Sequence, residues 1–272
     1  MKLSIITINY NNAAGLKRTL DSVAAQTYTD FEHIIVDGAS TDDSVDEILT
    51  YSQSPIANRH QITWISEPDT GIYNAMNKGI KMAVGEYLLF LNSGDTLENA
   101  DVVSNFYMAD IIADIATGIE KRPNGSFDYP RKEEELCYSY FYDNTLLHQS
   151  TFIRKDAFER FGMYNENNKV ASDWEWFFKV IIKENATYVP LNFIVADFEG
   201  YGISESSDNC AMRADESKKV HDTVVPRVCR DYFELKRLQK IEEEYEFLKN
   251  GKLGWIVRLL LCVKKIKKAR NK

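Results

Sequence analysis

Long apolar runs are missing from this chain. No stretch of its 272 residues approaches the ~18 consecutive apolar residues needed to span a bilayer. The opening run Leu3–Ile8 is far too short for a secretory signal. Cysteine is sparse as well. Cys137, Cys210, Cys229 and Cys262 form no C-x-x-C pair, so reduced thiols in a cytoplasmic protein are expected. There is no internal repeat and no low-complexity segment. Outside the C-terminus acidic side chains outnumber basic ones. The net charge is −8, yet the last 22 residues carry eight basic side chains and no acidic one, leaving −16 on the rest. An acidic body repels phosphate backbones and argues against nucleic acid as a partner.

What is present is a strand–helix alternation over the first hundred residues. Leu3–Asn9, Phe31–Val36, Gln61–Ser66 and Tyr87–Leu91 are short apolar runs that read as strands. Between them, Leu16, Leu20 and Val23 recur at helical spacing, and Asp42–Leu49 and Ile72–Met82 also read as helices. Continuous apolar strands alternating with helices predict an α/β fold with a mostly parallel central sheet flanked by helices. Ligands of such sheets bind beyond the carboxyl ends of the strands. The polar clusters fall there: Asn9-Tyr10-Asn11, Asp37-Gly38-Ala39-Ser40, Glu67-Pro68-Asp69 and Asn92-Ser93-Gly94-Asp95. Further on, strands are expected near Ile111–Ile119, Ser150–Ile153 and Tyr188–Phe198. Helices are expected at Asp156–Arg160, at Asp173–Ile182 and over 208–248, with a break at Pro226.

Each cluster admits two readings. Asp37 can accept a hydrogen bond from a base N–H, or it can cap the next helix. Asn92 and Asp95 offer hard oxygen ligands for Mn2+ or Mg2+, or they form a turn chosen for its backbone shape. Asp69, Gly71 and Lys78 surround a helix start that suits a diphosphate or ribose. The apolar residues Ile72, Met76 and Ile80 of the same helix form a core face.

Taken in order, Ser4–Asn11, Val36–Asp42, Glu67–Tyr73 and Phe90–Asp95 resemble the motifs of glycosyltransferase family 2. The stretch Asp69–Lys78 is similar to bacterial members that assemble surface or capsular polysaccharide. The resemblance implies an A-type glycosyltransferase fold acting on a nucleotide-sugar donor, UDP-sugar by default. It implies a domain over 1–205, with a nucleotide-binding half (1–98) and an acceptor-side half (99–205). A helical extension (206–250) and a basic amphipathic helix (251–272) follow. It further implies that Thr7, Asn9, Tyr10 and Asn11 pack around the nucleoside, that Asp37 meets the base, and that Asp95 ligates the metal. Acidic residues common in the family turn are replaced here by Asn92 and Gly94, leaving Asp95 as the charged ligand. In Ala171-Ser172-Asp173-Trp174-Glu175, Asp173 matches the catalytic base and Ser172 replaces the usual Glu. A single displacement with inversion at the anomeric carbon follows. Asp173 or Ser172 could instead cap the helix, and Glu175 is the competing base. His148 stands where the family often has a histidine near the donor sugar or acceptor. Trp174 and Trp176 suit a sugar-stacking platform or the core.

Residues 253–268 set Trp255, Ile256, Leu259, Leu260, Val263 and Ile266 among Lys and Arg. This is the pattern of an interfacial helix on an anionic membrane surface, here the inner face of the cytoplasmic membrane, where a saccharide or lipid-linked acceptor would be met. A docking helix is the alternative. A nucleotidyltransferase that makes nucleotide sugars would carry a Gly-rich loop after its first strand; here no Gly occurs until Gly15. A non-catalytic nucleotide-sugar-binding partner is the remaining class.

Overall fold

The four apolar runs of the first hundred residues become four parallel strands. β1 (Leu3–Asn9) pairs with β2 (Phe31–Asp37) on one side and β4 (Tyr87–Phe90) on the other, and β2 pairs with β3 (Gln61–Ser66). This computed structural model describes residues 2–55, 59–200, 209–251 and Trp255. Every residue of β1, β2 and β4 is buried. The alternation of side chains explains why: Leu3 and Ile5 join Val23 and Phe106 in one core cluster, while Ile6 meets Gly79 on the opposite face.

Three helices connect these strands: α1 (Ala13–Ala24), α2 (Ser44–Gln53) and α3 (Ile72–Met82). The Asn12 side chain caps α1 by accepting from the Gly15 N–H. Asp42 does not open α2; its carboxylate accepts from the backbone of Ala13 and Ser44 and ties two helix starts together.

Beyond β4 the sheet becomes mixed. Its order is β3-β2-β1-β4-β8-β6-β9-β5, with β7 beside β6. Here β5 is Thr96–Leu97, β6 Ile115–Lys121, β7 Phe127–Asp128, β8 Thr151–Arg154 and β9 Tyr188–Asp197. β8 runs antiparallel to both neighbours, and β6 and β9 are parallel. β6 starts four residues later than its apolar run suggests. The Tyr87 hydroxyl reaches the carbonyls of Ile111 and Ala113, and Asp114 accepts from the Thr187 N–H and hydroxyl, which bends residues 111–114 out of the strand. Ser150 likewise leaves β8 for a 3-10 turn, His148–Ser150, fastened to the Leu147 carbonyl.

The remaining helices are α4 (Val102–Met108), α5 (Tyr138–Asp143), α6 (Lys155–Phe161), α7 (Ser172–Phe178, continued by a π turn to Lys183), α8 (Cys210–Val224) and α9 (Pro226–Asn250). The chain divides into two compact units between Val220 and His221. Pro226 is the break expected from sequence. It opens α9 at the position where a missing N–H costs nothing. No helix among the described residues is long and apolar enough to cross a membrane. The basic stretch 253–268 lies outside the described residues, Trp255 excepted.

Candidate active site

Strand register brings the polar clusters onto one rim. Asn9 lies beside Asp37, and Asp37 beside Ser66, at the carboxyl ends of β1, β2 and β3. The Asp37 carboxylate is buried and receives four protein donors. Asn9 Nδ2 (2.8 Å) and Ser40 Oγ (2.6 Å) meet Oδ1, while the Ser40 N–H (2.9 Å) and Ser66 Oγ (2.6 Å) meet Oδ2. Burial alone would raise this carboxyl's pKa, but those donors outweigh it and hold it below the usual range. Asp37 is thus the hub that fixes three strand ends. Beside it, Asn9 Oδ1 is buried with no hydrogen-bond partner. Thr7, two residues before Asn9 on β1, is fully buried with its hydroxyl on His33.

Over this hub the loops close tightly. A Cβ on Gly38 would stand 2.6 Å from Asp69 Oδ2 and 3.1 Å from the Tyr10 ring, so only glycine lets those two approach. The Tyr10 ring is 68% exposed, an aromatic face on open solvent at this end of the rim. Asn11 ties this loop to the next one through Ser40 and Thr41. Asp69 accepts from the Gly71 N–H. Lys78 reaches the Pro68 carbonyl (2.8 Å) and Glu67 (2.9 Å), so its ammonium fastens the loop between β3 and α3.

The turn after β4 presents Asp95, 4% exposed, against Glu199. The Glu199 N–H donates to Asp95 Oδ1 at 3.0 Å, and Arg18 pairs with the Glu199 side chain. Gly94 has φ +114, and a Cβ there would run into the Glu199 carboxylate. Burial first, then the nearby Glu199 and Asp197 carboxylates, push the Asp95 pKa up to about 7 against the pull of the Glu199 N–H. Asn92 Oδ1, from the same turn, is buried and unpartnered. No group of three or more potential ligating side chains occurs among the described residues. A buried carboxylate and an orphaned amide oxygen in one turn still fit Mn2+ or Mg2+, which take one or two protein oxygens and fill the rest of the shell from phosphates and water.

At the other side of the rim stands Asp173, in the first turn of α7. Its Oδ1 accepts from the Tyr73 hydroxyl at 2.7 Å. Tyr73 is the second residue of α3, so the contact ties Asp173 to the helix start that follows the loop carrying Asp69 and Gly71. Burial, then the neighbouring Asp173 charge, raises the Tyr73 pKa and keeps the phenol protonated. Neither acid nor serine caps α7: Ala171 holds the cap position without a side-chain bond, and Ser172 Oγ accepts from the Asn165 N–H. Glu175 accepts from the Asn165 and Asn168 amides (3.0 and 2.7 Å), which binds it to its own loop. His148 is buried, stacked on Phe90 at 5.1 Å and bonded to the Tyr164 hydroxyl at 3.0 Å; burial depresses its pKa and keeps the imidazole neutral. The next residue, Gln149, lies near Asp95 and acts to lower its pKa, while the Asp173 charge acts to raise that of His148. Trp174 stacks on Phe178 at 5.3 Å and donates to the Phe141 carbonyl, while Trp176 is core, stacked on Phe158.

The stretch from Asp69 to Lys78 also holds its neighbours in place. Asn77 is 2% exposed and clamps Tyr164 through its backbone N–H and carbonyl. Asn74 and Asn77 also hold the two oxygens of Glu166, both at 2.8 Å. Removing the Asn77 amide would strand several buried groups. Asn77→Ala is expected to lower unfolding stability by roughly 2–4 kcal/mol in urea titrations. A loss below roughly 0.5 kcal/mol would show that the clamp contributes nothing.

A sheet whose parallel strand ends gather an aromatic face, an acidic turn and a second carboxylate has the build of a nucleotide-sugar transferase. Residues 4–165 match the family model described as glycosyl transferase family 2. A glycosyltransferase of PGL/p-HBAD biosynthesis from Mycobacterium bovis is 32% identical over 208 residues, covering 73% of this chain and 77% of that protein. An uncharacterized Mycobacterium tuberculosis glycosyltransferase is 29% identical over 225 residues, covering 78% and 80%. The chain belongs to glycosyl transferase family 2. Its fold is shared with S. aureus TarS 1–349 in complex with UDP-GlcNAc (TM-score 0.58, 20% identity, 76% of this chain and 61% of that one). It is shared equally with the Pyrobaculum calidifontis mannosyltransferase PcManGT in complex with GDP-Man and Mn2+ (TM-score 0.59, 18% identity, 71% and 56%).

Proposed function

We propose that this glycosyltransferase moves a sugar from a UDP-sugar to a hydroxyl of a saccharide or lipid-linked acceptor, with inversion, in the assembly of a surface glycan. The observation that carries this reading is the placement of two acids around the strand ends: Asp95, buried in the turn after β4 against Glu199, and Asp173, held by the Tyr73 hydroxyl at the start of α3. The base of the nucleotide stacks on Tyr10, and its N–H groups meet Asn9 Oδ1 and the Asp37 hub. Asp69 and the Gly71 helix start lie toward the ribose and diphosphate, with Lys78 holding their loop. Asp95 and Asn92 would hold Mn2+ or Mg2+, which supplies charge neutralisation for the departing diphosphate.

Asp173 is the base. Tyr73 occupies Oδ1, leaving Oδ2 for the acceptor hydroxyl. As that oxygen attacks the anomeric carbon, its proton passes to the carboxylate and the bond to the diphosphate breaks, the electron pair leaving with the nucleotide. His148, neutral and bonded to Tyr164, shapes the wall beside Asp173 without bearing charge. Trp174 and Glu175 border the acceptor side. The UDP-GlcNAc and GDP-Man bound by the two fold neighbours support a nucleotide-sugar donor. The basic amphipathic sequence at 253–268 supports an anionic membrane surface as the place where a lipid-linked acceptor is met.

A panel of nucleotide sugars with and without Mn2+ tests the reading by thermal shift and nucleotide release. UDP-sugars are expected to raise the melting temperature more with the metal than without, and to release UDP when an acceptor is supplied. If no nucleotide sugar binds, and a nucleoside triphosphate with a sugar phosphate yields pyrophosphate, the chain is a nucleotidyltransferase instead.

A further inference from the structure

The turn that carries Asp173 into α7 is held by a residue far along the chain. Glu216, on α8, is 6% exposed and receives three successive backbone N–H groups: Lys169 on Oε1 (2.6 Å), Val170 on Oε2 (3.1 Å) and Ala171 on Oε2 (3.0 Å). The carbonyl side of the same segment is held from α3, where the Tyr73 hydroxyl lies 2.8 Å from the Val170 carbonyl and 2.7 Å from Asp173. Lys169 also sends its ammonium to the Thr70 carbonyl at 3.1 Å, in the loop before Gly71. Residues 169–171 are therefore gripped on both faces, two residues before the base.

We infer that Glu216 is a positioning residue that sets the angle at which Asp173 meets the acceptor hydroxyl, an inference that rests on Asp173 being the base. Three N–H groups of one turn point to one side, and no backbone acceptor among the described residues reaches them there. A carboxylate accepts them through charge-assisted bonds, about twice as strong as neutral ones. A general base works only when held within a fraction of an ångström of its proton. Lost grip on the turn should therefore lower turnover far more than donor binding, most of whose contacts come from the loops after β1, β2 and β4. A glutamine at 216 is nearly isosteric, but its NH2 group would face a backbone N–H, so at least one bond is replaced by a donor–donor clash.

The test uses the full chain as wild type, Glu216→Gln, Glu216→Ala and Asp173→Asn. Amide hydrogen exchange at 169–171 is expected to quicken at least about tenfold in Glu216→Ala, whatever the enzyme's substrate. With the nucleotide-sugar panel, kcat is expected to fall about tenfold in Glu216→Gln and more in Glu216→Ala, with donor KM and UDP affinity within about twofold of wild type. Unchanged exchange at those amides, or unchanged kcat in Glu216→Ala beside an inactive Asp173→Asn, overturns the inference alone. An active Asp173→Asn overturns the base assignment with it. Should Glu216→Ala fail to fold, Glu216→Gln carries both readouts, and a parallel rise in KM with no fall in kcat would mark Glu216 as structural only.

Discussion

Asp173→Asn is expected to reduce sugar transfer by about 10^2–10^4-fold, with UDP affinity unchanged. The amide keeps the shape of the side chain and can still receive the Tyr73 hydroxyl, so the variant should fold and bind donor as wild type does. What it loses is the capacity to take a proton from the acceptor. Glu175→Gln is the control. Glu175 already accepts from Asn165 and Asn168 on one oxygen, and an amide carbonyl can keep both bonds, so turnover should stay within about threefold of wild type. Tyr73→Phe removes the hydroxyl that holds Oδ1 and should lie between the two. The measurement is initial-rate release of UDP with acceptor, beside calorimetric UDP binding. Near-normal turnover in Asp173→Asn together with a collapse in Glu175→Gln would transfer the base role to Glu175.

Much of the parallel half was legible because its strands are buried on both faces. A run such as Leu3–Asn9 has no polar face to confuse its period, and the polar residue that ends it marks the rim. The four rim clusters could be placed for the same reason. The second half was harder to read. β5 and β7 are two residues each, too short for any period, and α4 and α5 are under three turns. Long-range contacts to the candidate site were hidden as well. Glu199 reaches Asp95 only because β9 leaves the sheet beside β5, and Glu216 meets the turn before α7 from 45 or more residues away. Neither has a local signal, since each acts through tertiary contact alone. Tyr73 was different: it stood inside a motif whose helix start and glycine drew attention to a ligand. The structure adds that the motif's Tyr73, Asn74 and Asn77 also grip the loop that leads to Asp173.

Asp95→Asn is expected to abolish Mn2+- or Mg2+-stimulated turnover while leaving the fold as stable as wild type or more so at pH 8. The sign follows from the raised pKa. Between the ordinary value of 3.8 and about 7, the folded protein keeps a proton on Asp95 that the unfolded chain has released. Stability contributed by this group is therefore complete below pH 3.8 and falls as pH rises through the window, reaching its minimum above about 7. At pH 8 the wild type carries a buried charge flanked by Glu199 and Asp197, and the neutral amide removes that penalty. The same proton competes with the metal. Each pH unit below about 7 should weaken apparent Mn2+ affinity about tenfold, and the dependence should flatten above 7. Titration calorimetry of Mn2+ in the presence of UDP, from pH 5.5 to 8.5, reads that slope, and thermal melts at pH 5.5 and 8 compare the two proteins. A metal affinity independent of pH across this range would remove Asp95 from the metal. A variant that melts far below wild type at pH 8 would mean instead that the ionised carboxylate holds the Glu199 backbone in place. Both outcomes bear on the same physical question: whether the charge at Asp95 is tolerated in the fold for its ligand or for its neighbours.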